Sequence, residues 1–175
     1  MSGVPALVPA VPIEVRVVDV VVFRRVQKGW QVLALRRAAG TRCPGSWEMV
    51  HGKVNTDESL EAAARRELFE ETGLRAETML SITMHPFYLV PRRTVQIAAV
   101  FAAVVPGDAP MVRSEEHDKH GWVTVAAARR RFSWPHDRRH LDEAFALLRT
   151  PAVHDVLLVP EVPEVPAVPA VPAVP

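Results

Sequence analysis

Three glutamates stand close together in one short stretch of this chain. Glu67, Glu70 and Glu71 occupy positions i, i+3 and i+4, so on a helix their side chains share one face within a single turn. Like charges at this spacing repel each other by roughly 0.2–0.5 kcal/mol per pair. A divalent cation would remove that repulsion, and carboxylate oxygens suit Mg²⁺ or Mn²⁺, which complete their shells with water and substrate phosphates. The pattern therefore predicts a metal site for phosphate chemistry, and its simpler interpretation is a solvated helix face.

The glutamates belong to a longer pattern of fixed spacing. The stretch GKVNTDESLEAAARRELFEETGL runs from Gly52 to Leu74. A chance match to its seven fixed residue types and two aliphatic positions is on the order of 10⁻¹⁰ per register. Each of those positions fits G-x5-E-x7-R-E-U-x-E-E-x-G-U, the Nudix box, where U is an aliphatic residue. The chain therefore resembles the Nudix hydrolases over these 23 residues.

The resemblance implies an α/β fold, the Nudix α/β/α sandwich with a mixed β-sheet between helices, and a Mg²⁺ (or Mn²⁺) cofactor. Glu67, Glu70 and Glu71 would hold the metal without fixed cationic partners, and the backbone carbonyl of His51 would be a further ligand. One of the three glutamates or Glu116 would take the proton from the attacking water.

The remaining box residues have structural roles in this interpretation. Arg66 would orient the carboxylates, and Gly73 would close the helix in a left-handed conformation. Glu58 would lie in the first helical turn, where it caps the helix or pairs with Arg66; direct metal binding is the alternative. Gly52 opens the box. The candidate N-cap residues are Asn55, Thr56 and Asp57.

Substrate contacts are expected before the box. Arg36 and Arg37 end a predicted strand, where many Nudix proteins carry an arginine that approaches the substrate phosphates; solvated arginines are the alternative. Trp47 is a further candidate, because Trp-x-x-Val-x-Gly-x-Val is similar to the branch that cleaves dihydroneopterin triphosphate. His51 departs from the common Pro-Gly-Gly, and its ring is expected beside the carboxylates, pointing towards the phosphates. The alternative is that this position tolerates any side chain.

The expected reaction is hydrolysis of a nucleoside diphosphate linked to another group. The first choice is a nucleoside triphosphate cleaved to monophosphate and pyrophosphate, and the runner-up is a dinucleoside polyphosphate or ADP-ribose. A catalytically silent Nudix domain used as a ligand sensor or interaction module is the alternative from another class. Such domains usually lose box carboxylates, whereas this chain keeps all of them.

The hydrophobic pattern predicts the elements that position these residues. Strands are expected at 13–26, 31–37, 47–54, 79–90 and 94–105, with a hairpin turn at Lys28-Gly29. Besides the box helix, a short helix at 126–131 and an amphipathic helix at 136–149 are expected. The segment around Glu116 and His117 resembles the Glu-His…Trp ending of many Nudix domains. No strand is predicted there.

Composition sets broad limits. The chain has 175 residues, a net charge of +1 and one cysteine, which argues against coating nucleic acid or a membrane surface and against an internal disulfide. The expected partners are a small nucleotide and, as an option, a second copy of the chain, and the expected compartment is the cytoplasm. Residues 13–150 form the predicted domain. Residues 1–12 and 151–175 are Val-Pro-Ala-rich tails holding ten of the 16 prolines, and they are expected to be spacers or docking sites for a proline-recognising partner.

Overall fold

The computed structural model describes residues 10–150 and 155–161. In that part of the chain the long strands follow β-branched and apolar runs, as the sequence predicts. The seven strands are β1 Ile13–Val26, β2 Gly29–Arg37, β3 Trp47–Glu48, β4 Val50–Lys53, β5 Thr78–Leu89, β6 Thr94–Val105 and β7 His117–Thr124. The three α-helices are α1 Leu60–Thr72, α2 Val125–Arg131 and α3 Pro135–Leu148.

The strands form one mixed sheet. Its main order is β3-β2-β1-β6-β5, with β4 also pairing with β1 and β7 with β2. β1 and β6 run parallel, while the other pairs are antiparallel. β4 lies antiparallel to β1, which places His51 opposite Asp19 and Gly52 opposite Val18.

Helices cover both faces of this sheet, so the predicted α/β/α sandwich is confirmed. Val18, Val20 and Val22 of β1 pack with α1 in one core cluster. The alternating residues Val21 and Phe23 pack with α2 and α3 in the other cluster. Because side chains alternate along a strand, Asp19 lies on the face covered by α3.

Two predictions around the box need correction. The single strand expected at 47–54 is divided at Met49, because β3 pairs with β2 whereas β4 pairs with β1. Helix α1 begins later than expected, with Ser59 as the N-cap residue accepting a hydrogen bond from the Ala62 amide at 3.1 Å. The predicted N-caps at Asn55, Thr56 and Asp57 are therefore wrong, and Glu58 precedes the first helical turn.

Strand β7 is absent from the sequence-based expectation. Its polar sequence HDKHGWVT lacks the β-branched run that marks β1 and β6. It becomes a strand because its backbone pairs with β2 along Gln31 to Arg37. The strand carries His117 into the interior and leaves Asp118 exposed.

The described part of the C-terminal segment packs on the domain. Val159 donates its amide to the Met79 carbonyl at 2.9 Å, and Arg65 reaches the Val159 and Pro160 carbonyls at 3.3 and 3.2 Å. The predicted tail boundary at residue 151 is therefore too early for residues 155–161. Predictions for residues 1–9, 151–154 and 162–175 lie outside the described residues. Within the described ranges, no helix is long and apolar enough to cross a membrane.

Candidate active site

Gly52 and helix α1 are in direct contact at the start of the box. A Cβ atom at Gly52 would lie 1.9 Å from Cδ of Glu67, so a side chain here would displace that carboxylate. Glu67 Oε1 instead accepts the Lys53 amide at 3.0 Å. At the other end of α1, Gly73 has φ +68° and donates its amide to the Phe69 carbonyl, which is the predicted left-handed closure.

The Arg66 guanidinium connects several residues of the box through hydrogen bonds. It bonds both carboxylate oxygens of Glu58, at 2.8 and 2.9 Å, and donates to Glu67 at 2.8 Å and Glu70 at 2.9 Å. It also reaches the Lys53 carbonyl at 2.7 Å. The hydrogen bond to Glu58, followed by those to Glu67 and Glu70, raises the pKa of Arg66. The expectation that the carboxylates have no fixed cationic partner is therefore wrong for Glu67 and Glu70.

The three glutamates occupy different environments. The Glu70 side chain is 54% exposed, whereas Glu71 is buried and accepts the His51 amide at 3.4 Å. Burial raises the pKa of Glu71 well above its ordinary value, and the negative charges of Glu67 and Glu116 add to the effect. One face of α1 therefore presents an exposed, a half-buried and a buried carboxylate.

This donor set fits a hard divalent cation in chemistry. The buried Oε2 of Glu71 has no hydrogen-bond partner, and a cation beside it would compensate both the missing bond and the like charge of Glu67. In the described part of the chain, no three acidic, histidine or cysteine side chains converge closely enough to hold an ion without further ligands. Metal binding therefore stays a prediction for Glu67, Glu70, Glu71 and the His51 carbonyl.

The arginines at the end of β2 are held by carboxylates. Arg37 is buried, and its Nη1 lies 2.9 Å from Glu116 and 3.4 Å from Glu48. Arg36 makes two hydrogen bonds to Asp118, at 2.7 and 2.6 Å. Both guanidinium groups are therefore bonded to carboxylates, and their contact with substrate stays a prediction.

Glu116 and Trp47 contact different arginines. The Glu116 side chain is 59% exposed and lies 2.9 Å from Nη1 of Arg37. Trp47 stacks under the Arg131 guanidinium at 4.7 Å and lines neither of the two cavities described below. The next residue, Glu48, faces the interior between Arg37 and His117.

An acid-lined cavity of about 160 Å³ lies on the α3 face of the sheet. In its lining, Nδ1 of His51 lies 2.6 Å from Oδ1 of Asp19. Burial by itself lowers the pKa of His51, but the Asp19 carboxylate overcomes this and raises it. The expectation that the His51 ring lies beside the box carboxylates is wrong, because side chains alternate along β4 and the ring shares the face of Asp19. The cavity is lined by Asp19, Arg42, Glu48, Met49, His51, His85, Phe87, Trp134, His136 and Asp137.

Asp137 places a neutral carboxyl group in this cavity. Burial, together with the negative charges of Asp19 and Glu48, raises the pKa of Asp137 to about 8, and its Oδ2 has no hydrogen-bond partner. Near it, the rings of His85 and His136 stack with centroids 4.7 Å apart. The cavity therefore combines a group that can donate and accept a hydrogen bond with flat ring surfaces.

Sequence reasoning missed this cavity because its residues come from separate elements. Asp19 lies in β1, His85 in β5, and Trp134 and Asp137 at the start of α3. One signal was present in the sequence, since Asp19 interrupts the apolar run VVDVVV. A charge in the middle of a buried strand needs a partner or a function.

A family model described as "NUDIX domain" matches residues 14–145, most of the described chain. The chain belongs to the Nudix family. It is 33% identical over 138 residues to a Myxococcus xanthus protein named octanoyltransferase, covering 77% of this chain and 38% of that protein. It is 39% identical over 59 residues to the oxidized purine nucleoside triphosphate hydrolase of Danio rerio, covering 34% of this chain and 38% of that protein. The chain thus spans well under half the length of these curated relatives.

The fold of this Nudix domain recurs in a solved structure. The MutT protein of Methanosarcina mazei superposes with a TM-score of 0.63 at 28% identity, covering 81% of this chain and 99% of that chain. The fold is therefore shared over 81% of this chain.

Proposed function

We propose that this Nudix domain hydrolyses phosphoric anhydrides, with a nucleoside triphosphate as substrate and a monophosphate and pyrophosphate as products. The observation that carries the proposal is the position of the box beside the acid-lined cavity. His51 connects the two, since its amide donates to Glu71 and its ring pairs with Asp19. A nucleotide can therefore place its base in the cavity and its phosphates at the box carboxylates.

The cavity chemistry favours a purine base. A neutral Asp137 carboxyl donates one hydrogen bond and accepts another, matching the neighbouring donors and acceptors on the edge of a purine. Trp134, His85 and His136 supply flat surfaces for the ring. The printed name of the Danio rerio relative, an oxidized purine nucleoside triphosphate hydrolase, supports the same substrate class.

The residues of the box and Glu116, which directly precedes β7, would perform the hydrolysis. When bound, Mg²⁺ neutralises the non-bridging phosphate oxygens and stabilises the charge that develops on the leaving group. Glu67, Glu70 and Glu71 would hold it, while Arg66 fixes the first two carboxylates in place. Glu116, exposed and bonded to Arg37, would take the proton from the attacking water.

Hydrolysis is tested by ion-exchange chromatography, which separates each substrate from its nucleotide products. The chain is incubated with purine and pyrimidine nucleoside triphosphates, a dinucleoside polyphosphate and ADP-ribose, with Mg²⁺ or with EDTA. We expect pyrophosphate from a purine triphosphate in Mg²⁺ and no turnover in EDTA. Undiminished turnover after chelation would contradict the metal role.

The other outcomes of this assay decide between the remaining candidates. If only the dinucleoside polyphosphate or only ADP-ribose is cleaved, that compound replaces the nucleoside triphosphate as the proposed substrate. Tight nucleotide binding without turnover of any substrate would favour a silent ligand-sensing module.

A further inference from the structure

A second cavity, lined by cationic side chains, lies beside the acid-lined cavity. It has a volume of about 260 Å³ and shares Arg42, His51 and Phe87 with the first cavity. It crosses the sheet from Lys53 of β4 to Leu89 of β5. We call it the cationic trough; it is lined by Arg16, Val17, Arg42, His51, Lys53, Phe87, Leu89, Arg92 and Gln96.

Four cationic side chains line this trough: Arg16, Arg42, Lys53 and Arg92. Within the described residues none of them has a side-chain hydrogen bond or ion pair, and no carboxylate lines the trough. Other arginines of the domain are bound: Arg36 to Asp118, Arg65 to backbone carbonyls and Arg138 to the Phe132 carbonyl. Arg16, Lys53 and Arg92 therefore bring positive charge to the trough, while Arg42 also faces Glu48 in the acid-lined cavity.

The floor of the trough is a fixed polar group. Gln96 is 3% exposed, and its Nε2 donates to Thr94 and to Glu14, both at 2.8 Å. These two hydrogen bonds fix the orientation of the Gln96 amide, and one of them holds the Glu14 carboxylate against it. Val17 and Phe87 form the apolar part of the lining. A buried amide, apolar walls and a cationic rim together resemble a binding site more than a charged surface.

The trough also meets the box. The Lys53 amide donates to Glu67 at 3.0 Å, and its carbonyl accepts from Arg66 at 2.7 Å. A substrate that spans from the acid-lined cavity to the box carboxylates therefore passes His51 and Lys53, which both line the trough.

We infer that the cationic trough binds a phosphoryl group of the substrate. The ligand that fits the trough is a compact anion with two negative charges, because such an anion can bind several cationic side chains at once. Two sources share that chemistry: a terminal phosphate of a nucleoside triphosphate, or a phosphate on the second half of a two-ended nucleotide. The inference rests on the proposed function for the identity of the substrate, but the affinity of the trough for an anion does not.

The first test uses inorganic pyrophosphate without divalent cations, so that the box carboxylates offer it no attraction. NMR titration of the protein in EDTA and low salt follows the amides of Val17, Phe87 and Gln96. The double variant Arg16→Gln/Arg92→Gln is compared with Lys28→Gln/Arg130→Gln, which removes the same charge from exposed positions outside the trough. Each exposed contact is worth little alone, so we expect the trough variant to weaken binding roughly fivefold relative to the control. Equal binding by both double variants would overturn the inference.

The second test separates the two sources of the phosphoryl group. KM is measured for a nucleoside triphosphate, the matching diphosphate and a dinucleoside tetraphosphate with wild type and both double variants. A trough-specific rise in KM for the triphosphate and the tetraphosphate, but not the diphosphate, identifies the terminal phosphate. A rise for the tetraphosphate alone identifies the second nucleotide, and no rise beyond the control for any substrate overturns the inference. If none of the three is hydrolysed, the proposed function fails while the pyrophosphate titration still decides the trough.

Discussion

Helix α1 and the acid-lined cavity use the same side-chain type in opposite ways. On α1, Glu67 and Glu70 share one arginine, Arg66, that balances their charge. In the cavity, Asp137 lies 3.2 Å from the imidazole of His136, whose own pKa is lowered by burial, and burial raises the pKa of Asp137 to about 8. Carboxylates bonded to a guanidinium suit a metal and its phosphates, whereas a neutral carboxyl suits the edge of a base. Environment, and not residue type, assigns the two roles.

The largest expected effect on activity comes from the glutamates of helix α1. Glu70→Gln keeps the shape of the side chain and removes one charge, so we expect kcat to fall by on the order of 10²-fold or more. Glu61→Gln, also on α1 but in its first turn, is the matched control. Thermal unfolding of both variants checks that the fold is intact. A Glu70→Gln enzyme with near-normal kcat would show that the glutamates are a solvated face.

His51 joins the two regions, and its ring is expected to have a smaller effect. His51→Ala keeps the backbone amide that bonds Glu71 and removes the ring that pairs with Asp19. We expect a several-fold rise in KM or fall in kcat and a flatter dependence of kcat/KM on pH between about 6 and 9. His120→Ala, an exposed histidine on β7, is the control. Superimposable pH profiles for wild type and His51→Ala would leave the ring with no role.

The cavity side also predicts a dependence of stability on pH. The pKa of Asp137 rises from an ordinary 3.8 to about 8 on folding, so its contribution to stability is complete below about pH 4 and is lost as pH rises through 8. Folding lowers the pKa of His140 from 6.5 to about 4. Its contribution to the free energy of unfolding is therefore lost only as pH falls below about 6.5. Between pH 6.5 and 8 the Asp137 effect is therefore separate from that of His140.

Asp137→Asn isolates this effect. From pH 6.5 to 8 the free energy of unfolding of wild type should fall by on the order of 1–2 kcal/mol more than that of the variant, since one pH unit is worth at most about 1.4 kcal/mol for one proton. The raised pKa of His51 acts in the same direction in both proteins, so the difference between them cancels it. Urea unfolding of both proteins at pH 6.5 and pH 8 measures the difference between their losses in free energy of unfolding. Parallel losses in wild type and variant would show that Asp137 is ionised at neutral pH.

The sequence predicted the box side better than the cavity side. The helix and its glycine closure follow from local spacing between Gly52 and Leu74. The sandwich follows from the order of predicted strands and helices and from the family resemblance. The cavity depends on pairing between distant segments, such as Asp19 of β1 with His51 of β4, which no local pattern encodes. Strand β7 was missed for the same reason, because its pairing with β2 outweighs the weak strand propensity of HDKHGWVT.

The smallest expected effect concerns the ends of the chain. Deleting residues 1–11 and 162–175 should leave the melting temperature and the activity nearly unchanged, because the frequent prolines of the Val-Pro-Ala repeats disfavour helices and sheet ladders. Extending the C-terminal deletion back to residue 155 should lower stability, since it removes Val159 and the carbonyls bonded by Arg65. Differential scanning calorimetry compares the two. An equal melting temperature for both deletions would mean that residues 155–161 contribute nothing to the fold.

The contrast between box and cavity is tested most directly by one kinetic comparison. Steady-state kinetics on the best purine nucleoside triphosphate, at pH 7 with saturating Mg²⁺, are measured for Glu70→Gln and Asp137→Asn. The account predicts that Glu70→Gln lowers kcat with KM little changed, and that Asp137→Asn raises KM with kcat little changed. If both variants change the same parameter by the same factor, the box and the cavity do not divide phosphate chemistry and base recognition between them.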